Sequence, residues 1–309
     1  MAFRAVERNL EQQFDRQGFV LVPNAVTREQ IVQLNESIDH YRESYPDEWV
    51  NFPGSMTQSV NVLPRTGDFD FAIENPGTLN VLRRILGEEM TFEELSIMIR
   101  NPTRNVCDVK GWHRDLTRDF DRRREIDAVS LIYYLTDVTE ADHCFSIIPE
   151  SHNRLLDLRP EEVTPGMEFD VVAPAGTALL FHARCIHAGK LKPTSRQRRT
   201  LHLYYARSDQ PRTSEWSDIP PRLAAKIDPR LPPRLFSKWN KTEVFDGTGK
   251  KPRDLPAHMS AAEMIRVVQQ RANLPPLSHR SPIEKTCREG EPPCSPCTIQ
   301  GQGSTAVIS

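Results

Sequence analysis

The feature that most constrains the fold is a series of six short apolar segments between residues 95 and 205. They are rich in β-branched and aromatic residues, and Pro, Gly, Asn and Asp separate them, which is typical of strands joined by turns. No long helical pattern lies between them, which disfavours a parallel sheet with crossover helices. The sequence therefore predicts a mainly β fold with flanking helices, a double-stranded β-helix of the cupin-like jelly-roll type. The predicted strands are 95–100, 128–135, 144–148, 169–173, 177–181 and 199–205.

Two helices are predicted before these strands. A short apolar strand ends at Pro23, and Thr27 to Gln30 then form a capping box that begins the first helix. The second helix begins at Asn75 with Pro76 at its first position and ends at Gly87. The apolar positions at helical spacing are Ile31, Leu34, Ile38 and Tyr41 in the first helix, and Leu79, Leu82 and Leu86 in the second.

Composition narrows the class of protein. The 309 residues are 38% hydrophobic, enough to bury a substantial core. Forty basic residues nearly balance 42 acidic ones, and the net charge of −2 gives no global attraction to nucleic acid or an anionic membrane. No run reaches the length of an uncharged membrane span. We expect a cytoplasmic protein that acts on a small molecule, with no nucleic-acid or membrane partner.

The chain is predicted to contain one domain and a tail. Residues 1–276 form the domain, with a jelly-roll core over about 90–206, a helical N-terminal part over 1–89 and an irregular C-terminal extension over 207–276. A further helix is expected from Ser260. Residues 277–309 have few aliphatic side chains and are predicted to be disordered. Cys294 and Cys297 in this tail lack a second pair at zinc-finger spacing and are not interpreted as a metal site.

The candidate metal ligands are His113, Asp115 and, farther along, His187. Side chains two residues apart on an extended strand point to the same side, so His113 and Asp115 can converge on one ion while Arg114 points away. That pair alone is expected by chance about as often as not. With His187, which follows a buried strand, the set becomes two histidines and one carboxylate. This set suits non-haem iron(II) and leaves positions open for oxygen chemistry.

Several motifs in one order resemble the phytanoyl-CoA dioxygenase family of iron(II)/2-oxoglutarate oxygenases, over roughly residues 14 to 206. They are Gly18-Phe-Val-Leu-Val-Pro-Asn-Ala-Val-Thr27, Gly111-Trp-His-Arg-Asp115, Ile148-Pro-Glu-Ser-His152, Pro174-Ala-Gly-Thr-Ala-Leu-Leu-Phe-His182, His187-Ala-Gly189 and Arg198. Together they are much more specific than any one of them.

The resemblance implies roles for individual residues. His113, Asp115 and His187 would bind Fe(2+), 2-oxoglutarate and O2 would be cosubstrates, and Arg198 would pair with the distal carboxylate of 2-oxoglutarate. A guanidinium suits this task because it presents two parallel donors to a carboxylate. Arg199 is the rival. Neighbouring residues of a strand point to opposite faces, so only one of the two arginines enters the barrel, and the family's spacing favours Arg198.

Three further residues are candidates for contacts inside the barrel. Arg100 lies where family members often place a polar or basic residue that reaches the cosubstrate or substrate; the alternative is a solvated strand end. Trp112 and Tyr134 are candidates for lining the substrate pocket. Trp112 packs beside the metal loop or contacts substrate, and Tyr134 lines the barrel if its face of the strand points inward.

Two other histidines are interpreted as structural. His152 is expected to fix a loop, and His182 ends a strand. The sequence also departs from the family at two turns: Glu150 stands where relatives usually have Gly, and 141–143 replace a common Asn-Gly turn. Neither departure touches the candidate metal ligands.

The implied function is that of a dioxygenase that hydroxylates or otherwise oxidises a small organic molecule while 2-oxoglutarate is decarboxylated to succinate and CO2. Halogenating variants of such sites replace the carboxylate ligand with a small residue, so the presence of Asp115 favours hydroxylation or a related oxidation. Two alternatives remain: a zinc or manganese hydrolase or isomerase on a cupin-like barrel, and a non-catalytic binding protein of the same fold. Arg198 argues against the first and the intact triad against the second. The loops that would select substrate, around 46–72, 116–127 and 208–250, carry no ligand signature, and no sequence feature specifies the oligomeric state.

Overall fold

The computed structural model describes residues 10–52, 55–60, 62–104, 111–115, 128–153, 158–209, 217 and 219–236. The helices of this part of the chain are α1 (Leu10–Gln17), α2 (Arg28–Ser44), α3 (Asp70–Ile73), α4 (Pro76–Leu86) and α5 (Pro221–Ala224), with 3-10 turns at Pro46–Glu48 and Pro160–Glu162. The strands are β1 (Phe19–Val22), β2 (Val50–Phe52), β3 (Met56–Ser59), β4 (Met90–Arg100), β5 (Ala128–Tyr134), β6 (Cys144–Ile147), β7 (Phe169–Val171), β8 (Ala178–His182), β9 (His187–Lys190) and β10 (Arg198–Arg207).

The strands form two antiparallel sheets. The large sheet has the order β1-β8-β5-β10-β4-β3-β2, and the small sheet has the order β7-β6-β9. Apolar side chains of both sheets, such as Phe181 from β8 and Phe145 from β6, form one core cluster, so the sheets pack face to face. At one edge, the rings of Phe19 and Phe169 lie 5.3 Å apart and join β1 to β7. The predicted jelly roll and its six strands are confirmed.

The helices begin and end where the sequence predicts. Thr27 accepts a hydrogen bond from the backbone of Gln30, and the Gln30 side chain accepts one from the backbone of Thr27, which completes the capping box of α2. Asn75 caps α4 by accepting from the backbone N–H of Thr78, and Gly87 follows the helix with φ 85°. Leucines and isoleucines of both helices lie in the larger apolar core with one face of the large sheet. The predicted outer position of the helices is therefore confirmed.

Alternation along each strand gives the large sheet two different faces. Side chains on one face pack against the helices, and side chains on the other face point toward the small sheet. We call these the helix-covered face, with Leu201, Leu203 and Tyr205 of β10, and the site face, with Arg198, Thr200, His202 and Tyr204 of the same strand. The two faces thus differ in polarity although the same strand builds both.

Several elements were not predicted because their local signals are weak. α1 buries a single side chain, Phe14, and β2 and β3 have only three and four residues and bury no apolar side chain. β3 is stabilised by pairing with β4, from Met56 opposite Arg100 to Ser59 opposite Ile97. β4 begins at Met90, five residues before the predicted start at 95. The prediction began too late because Glu93 and Glu94, which are buried in the structure, interrupt the apolar pattern of the strand.

The chain after β10 returns to the helix-covered core. Leu223, Leu235 and Phe236 are buried there, and the Leu235 carbonyl accepts a hydrogen bond of 2.7 Å from the backbone of Phe92. Cys144 and Cys185 are buried free thiols. No described helix combines the length and apolar character that a bilayer span requires. Cys107, the helix expected from Ser260, the tail after 277 and most of the loops 116–127 and 208–250 lie outside the described residues.

Candidate metal centre

Backbone hydrogen bonds bring the His-x-Asp segment to the start of β9. The N–H of His113 donates to the carbonyl of His187 over 3.0 Å, and the N–H of His187 donates to the carbonyl of His113 over 2.9 Å. The N–H of Asp115 donates to the carbonyl of Ala183 over 3.1 Å. The segment therefore continues the small sheet beyond β9, and His113 and His187, 74 positions apart in sequence, become neighbours through main-chain atoms.

The three candidate ligands converge on one point. One ligand atom from each of His113, Asp115 and His187 lies within 4.8 Å of the others, close enough to hold one metal ion. Oδ1 of Asp115 is 3.3 Å from Nε2 of His187 and 3.7 Å from Nε2 of His113. The side chain of His187 is 6% exposed and that of His113 is 56% exposed, so His113 marks the open side of the site.

Both imidazoles are held in the tautomer that metal binding requires. Nδ1 of His113 lies 2.7 Å from the carbonyl of Gly111, and Nδ1 of His187 lies 3.0 Å from the carbonyl of Cys185. Because a carbonyl only accepts, each Nδ1 carries the proton and each Nε2 keeps its lone pair. Anchoring the distal nitrogen in this way is the usual support of a metal-binding histidine.

Electrostatics favour a charged carboxylate at the centre. Burial by itself would raise the pKa of Asp115, but His187, His113 and the hydroxyl of Ser130 together hold that pKa well below its ordinary value. Burial by itself would lower the pKa of His187, but the charge and hydrogen bond of Asp115 hold it above its ordinary value. The aspartate is therefore ionised in the neutral range, as a metal ligand must be.

Arg114, which stands between the two ligands of the His-x-Asp segment, points away from them and fixes their backbone. Its guanidinium donates to the carbonyls of Ser151 and Arg184, and to that of Leu158 over 2.7 Å. The carbonyl of Arg184 belongs to the connection that leads from β8 to His187. Arg114 thus ties both ligand-bearing segments and a neighbouring turn together. The sequence predicted its direction but not its partners, since alternation says nothing about distant carbonyls.

The second carboxylate oxygen of Asp115 is held by two hydroxyl groups. Oδ2 accepts hydrogen bonds from Oγ of Ser130, over 3.0 Å, and from the hydroxyl of Tyr204, over 3.1 Å. Burial, and next the charge of Asp115, raise the pKa of Tyr204 well above its ordinary value, so the phenol remains a donor. Sequence reasoning missed both residues. The signal that could have identified Tyr204 is its position, since it follows Arg198 by an even number of residues on one strand.

The two rival arginines lie on opposite faces of β10. Arg198 is 4% exposed on the site face, and its Nε and Nη1 atoms have no hydrogen-bond partner in the part of the chain that the structure describes. Arg199 lies on the helix-covered side, where its Nη2 is 2.7 Å from Oδ1 of Asp39 on α2 and its Nε donates to Gln197. A buried guanidinium with unpaired N–H groups is rare in proteins and needs an explanation, and an anionic ligand is one.

Tyr134 and Arg100 lie near Arg198. The Tyr134 hydroxyl is buried without a hydrogen-bond partner among the described residues, and burial raises its pKa while the charge of Arg198 opposes that rise. Burial, and next the charge of Arg198, lower the pKa of Arg100 to about 10. Its guanidinium crosses to the small sheet, where a β-carbon at position 189 would lie 2.9 Å from Nη2; Gly189 has none. The site face therefore carries two guanidinium groups beside an unpaired phenol.

His202 also belongs to the site face and was not singled out in the sequence. Its Nε2 is 3.0 Å from the Thr200 hydroxyl. Burial, and next the charge of Arg198, lower its pKa to about 3, so the imidazole is neutral. It lies within electrostatic reach of Arg198 at one side and of Asp115 and His187 at the other. Alternation from Arg198 would have identified it.

The remaining candidates lie outside the convergent set. Trp112 is half-buried beside the metal segment, and its contact with substrate stays a prediction. Nε2 of His152 contacts the carbonyl of Asp15 and ties its turn to α1. His182 lies on the helix-covered side, stacked on Phe14 of α1, and Nδ1 accepts from the backbone of Arg184. His152 and His182 therefore have the structural roles that the sequence predicts.

The sequence model of the phytanoyl-CoA dioxygenase (PhyH) family matches residues 14–200. This interval contains the three candidate metal ligands and Arg198. No curated protein sequence matches the chain significantly.

Solved structures show a similar fold. The epimerase SnoN in complex with Fe3+, alpha ketoglutarate and nogalamycin RO superimposes with a TM-score of 0.57 at 18% identity, over 73% of this chain and 93% of SnoN. The carbocyclase SnoK from nogalamycin biosynthesis gives a TM-score of 0.56 at 18% identity, over 73% and 92%. HygX from Streptomyces hygroscopicus, with nickel, 2-oxoglutarate and hygromycin B bound, gives 0.51 at 17%, over 65% and 88%. At sequence identities of 17–18%, these comparisons show a similar fold and no more. The family match covers more than half of the sequence, and the chain therefore belongs to the phytanoyl-CoA dioxygenase family.

Proposed function

We propose that this protein is an Fe(II)/2-oxoglutarate-dependent dioxygenase that hydroxylates a small organic molecule. The observation that carries the proposal is a three-ligand group on the small sheet that lies across from a buried, unpaired guanidinium on the site face of the large sheet. The ligand atoms of His113, Asp115 and His187 lie within 4.8 Å of one another, and Nε and Nη1 of Arg198 have no hydrogen-bond partner among the described residues. A cation site combined with an unpaired guanidinium is what a metal-chelating dicarboxylate requires.

The donor set fits iron(II). Two neutral imidazoles and one carboxylate form the ligand type that non-haem oxygenases use, and they leave positions for other ligands. The anchored Nδ1 atoms direct both Nε2 atoms to the same point as Asp115 Oδ1. His113, Asp115 and His187 would therefore hold the metal. With 2-oxoglutarate and O2 bound, the metal supplies the oxidising chemistry while the cosubstrate is converted to succinate and CO2.

The site face fits the cosubstrate. Arg198 would pair with the distal carboxylate, and the unpaired hydroxyl of Tyr134 offers a further donor beside it. Arg100, whose charge acts on Arg198, adds positive potential to the same region. These residues would orient the cosubstrate along β10 and exclude water from its buried end, and the open side near His113 would admit the substrate.

The ligand set favours hydroxylation or a related oxidation over halogenation, and analysis of the product distinguishes among these oxidations. Asp115 is present, so the residues do not provide the vacant ligand position of a halogenating site. The fold also serves SnoN, described as an epimerase, and SnoK, described as a carbocyclase, so retention of the oxygen atom in the product must be measured. A hydrolase or isomerase would have no use for the unpaired guanidinium of Arg198. Nogalamycin RO and hygromycin B, bound in SnoN and HygX, support a small organic molecule as the substrate class.

The first test is anaerobic binding. Iron(II) and 2-oxoglutarate are added to the metal-free protein, and the visible metal-to-ligand charge-transfer band is recorded. The band is expected in the wild type, absent in Asp115→Ala and weakened in Arg198→Ala. Arg199→Ala is the matched control on the opposite face and should retain the band.

Two results would contradict the proposal. A wild type that gives no band but binds zinc or manganese tightly would favour the hydrolase or isomerase. Equal weakening by Arg198→Ala and Arg199→Ala would remove Arg198 from the cosubstrate site. If the band forms, candidate substrates are screened by succinate release, and 18O2 labelling of the product distinguishes hydroxylation from ring closure or epimerisation.

A further inference from the structure

We propose that Ser130 and Tyr204 form a hydroxyl pair that positions Asp115 so that only one of its carboxylate oxygens can bind the metal. The pair would thereby keep a coordination position open for the cosubstrates. This inference rests on the proposed function for its purpose, but the geometry that carries it is independent of the reaction.

The two oxygens of Asp115 have different surroundings. Oδ1 faces the metal site, 3.3 Å from Nε2 of His187 and 3.7 Å from Nε2 of His113. Oδ2 accepts two hydrogen bonds, of 3.0 Å from Ser130 and 3.1 Å from Tyr204. A carboxylate oxygen has two lone pairs, so both lone pairs of Oδ2 are in use. Binding of a metal through Oδ2 would require one of these hydrogen bonds to break.

The fold places the two hydroxyl groups side by side. Ser130 of β5 and Tyr204 of β10 are direct cross-strand partners, so their side chains leave the sheet on the same face as neighbours. Immediately after Tyr204 the pairing of β10 with β4 shifts, because β4 has one extra residue there, Glu93. Bulges of this kind occur beside active sites, where they change the direction of a side chain. The strand pairing itself therefore determines where Oδ2 is held.

The hydrogen bonds to Oδ2 affect how many coordination positions of the metal would remain open. Carboxylates bind metal ions through one oxygen or through both. His113, Asp115 and His187 would hold the metal through one atom each, and a second oxygen of Asp115 would compete with the cosubstrates for the positions that this ligand set leaves open. With Oδ2 held by two hydroxyl groups, Asp115 provides one atom. Ser130 and Tyr204 are positioning residues, since they act through Asp115 and do not touch the metal site themselves.

The alternative is that the two hydroxyl groups only satisfy a buried carboxylate. The alternative predicts loss of folding stability on mutation but no change in how the metal is bound. Co(II) distinguishes the two, because its visible absorption reports coordination number and requires neither 2-oxoglutarate nor turnover.

The experiment is a Co(II) titration of the full chain without 2-oxoglutarate. The variants are Tyr204→Phe, Ser130→Ala and the double variant. Tyr205→Phe is the matched control, because it removes a hydroxyl from the next residue, on the helix-covered face, where that hydroxyl donates to the Ile73 carbonyl. Ser130→Thr keeps the hydroxyl and tests rescue.

The expected result is a 10- to 100-fold loss of Co(II) affinity in the double variant, the usual effect of removing groups that orient a ligand. Its visible spectrum should change in intensity as Oδ2 becomes free to coordinate. Tyr205→Phe and Ser130→Thr should keep wild-type affinity and spectrum. The proposal is overturned if the double variant binds Co(II) with both the affinity and the spectrum of the wild type.

The two proposals fail separately. A wild type that binds Co(II) but gives no charge-transfer band with iron(II) and 2-oxoglutarate contradicts the oxygenase and leaves the hydroxyl pair to be judged by the variants. Wild-type Co(II) binding in the double variant contradicts the pair and leaves the oxygenase intact. A wild type that binds no metal contradicts both.

Discussion

The two faces of the large sheet differ in how their buried polar groups are satisfied. On the helix-covered face, the Tyr133 hydroxyl lies 2.6 Å from Oγ1 of Thr78, and the Tyr205 hydroxyl donates to the Ile73 carbonyl over 2.8 Å. On the site face, the Tyr134 hydroxyl and two nitrogens of Arg198 have no hydrogen-bond partner within the described ranges. Each unsatisfied buried group costs about 1–3 kcal/mol. The helix-covered face is therefore optimised for stability, and the site face keeps donors available for a ligand.

The largest effect is expected on the helix-covered face. Leu203→Ala removes a fully buried side chain of β10 from the larger core and should lower the free energy of unfolding by about 2–5 kcal/mol. Urea denaturation measures this change. Metal affinity of the folded variant should equal that of the wild type, because Leu203 points away from the ligands. A variant of normal stability with weakened metal binding would show that the two faces are not separable.

The pH dependence of folding stability tests a second residue of the helix-covered side, the buried His182. Burial, and next the charge of His152, lower the pKa of His182 to about 3 from an ordinary value of 6.5. Below pH 6.5 the unfolded chain takes up a proton that the folded protein excludes, so stability falls as the pH decreases from 6.5 toward 3. One such group contributes about 1.4 kcal/mol per pH unit in this window.

His182→Asn tests this contribution because it keeps an acceptor for the backbone N–H of Arg184. The measurement is the free energy of unfolding between pH 7 and 4, and the quantity compared is its slope against pH. The variant should lose stability less steeply than the wild type below pH 6.5. Parallel curves would mean that His182 is protonated in the folded state or does not contribute.

An effect of opposite sign is expected on the site face. Arg198→Met replaces a buried, unpaired guanidinium with an apolar side chain of similar length, and we expect the metal-free protein to gain about 1–3 kcal/mol of unfolding free energy. Thermal and urea unfolding of the metal-free protein measure the gain. A loss of stability would indicate that Arg198 has a structural partner, and it would weaken the argument that the guanidinium is reserved for an anion.

The smallest change in stability is expected at Arg199, the residue after Arg198. Arg199→Met removes an ion pair with Asp39, which is more than half exposed, and should cost about 0.2–1 kcal/mol of stability. The cost should fall as salt concentration rises, because an exposed pair is screened. Together, Arg198→Met and Arg199→Met compare adjacent, identical side chains on opposite faces, with opposite signs of the stability change.

Local patterns were sufficient to predict much of the fold. The capping residues Thr27 and Asn75 and the terminal Gly87 fixed both long helices, because caps act over three or four residues. Strands as short as β2 and β3 could not be predicted, since they are stabilised by pairing with neighbouring strands and bury no apolar side chain of their own. The turn at Glu150 gives a further case. Its φ of 65° lies in the left-handed region, which Gly adopts readily and which fits the Gly that the family resemblance implies at this turn. A glutamate gives no signal of this conformation, so the φ angle could not be predicted from this sequence alone.

The candidate site was predictable to a similar extent. Alternation correctly separated Arg198 from Arg199 onto opposite faces and turned Arg114 away from its neighbours. It could not supply the partners, because the contact of Tyr204 with Asp115 depends on how β10 is aligned with β5. The carbonyls that Arg114 reaches also come from distant turns. Periodicity gives the direction of a side chain, and only the three-dimensional register gives the atom that it meets.

The backbone bridge between His113 and His187 affects how freely the surrounding sequence can change. These two residues are joined by main-chain atoms, and main-chain hydrogen bonds are the same whatever side chains surround them. Substitutions at site-face positions other than Ser130 and Tyr204, such as His202, can therefore alter the shape and polarity offered to a substrate without displacing the ligand atoms. Such a scaffold tolerates divergence: new specificities can arise one residue at a time while the capacity to bind metal is inherited intact.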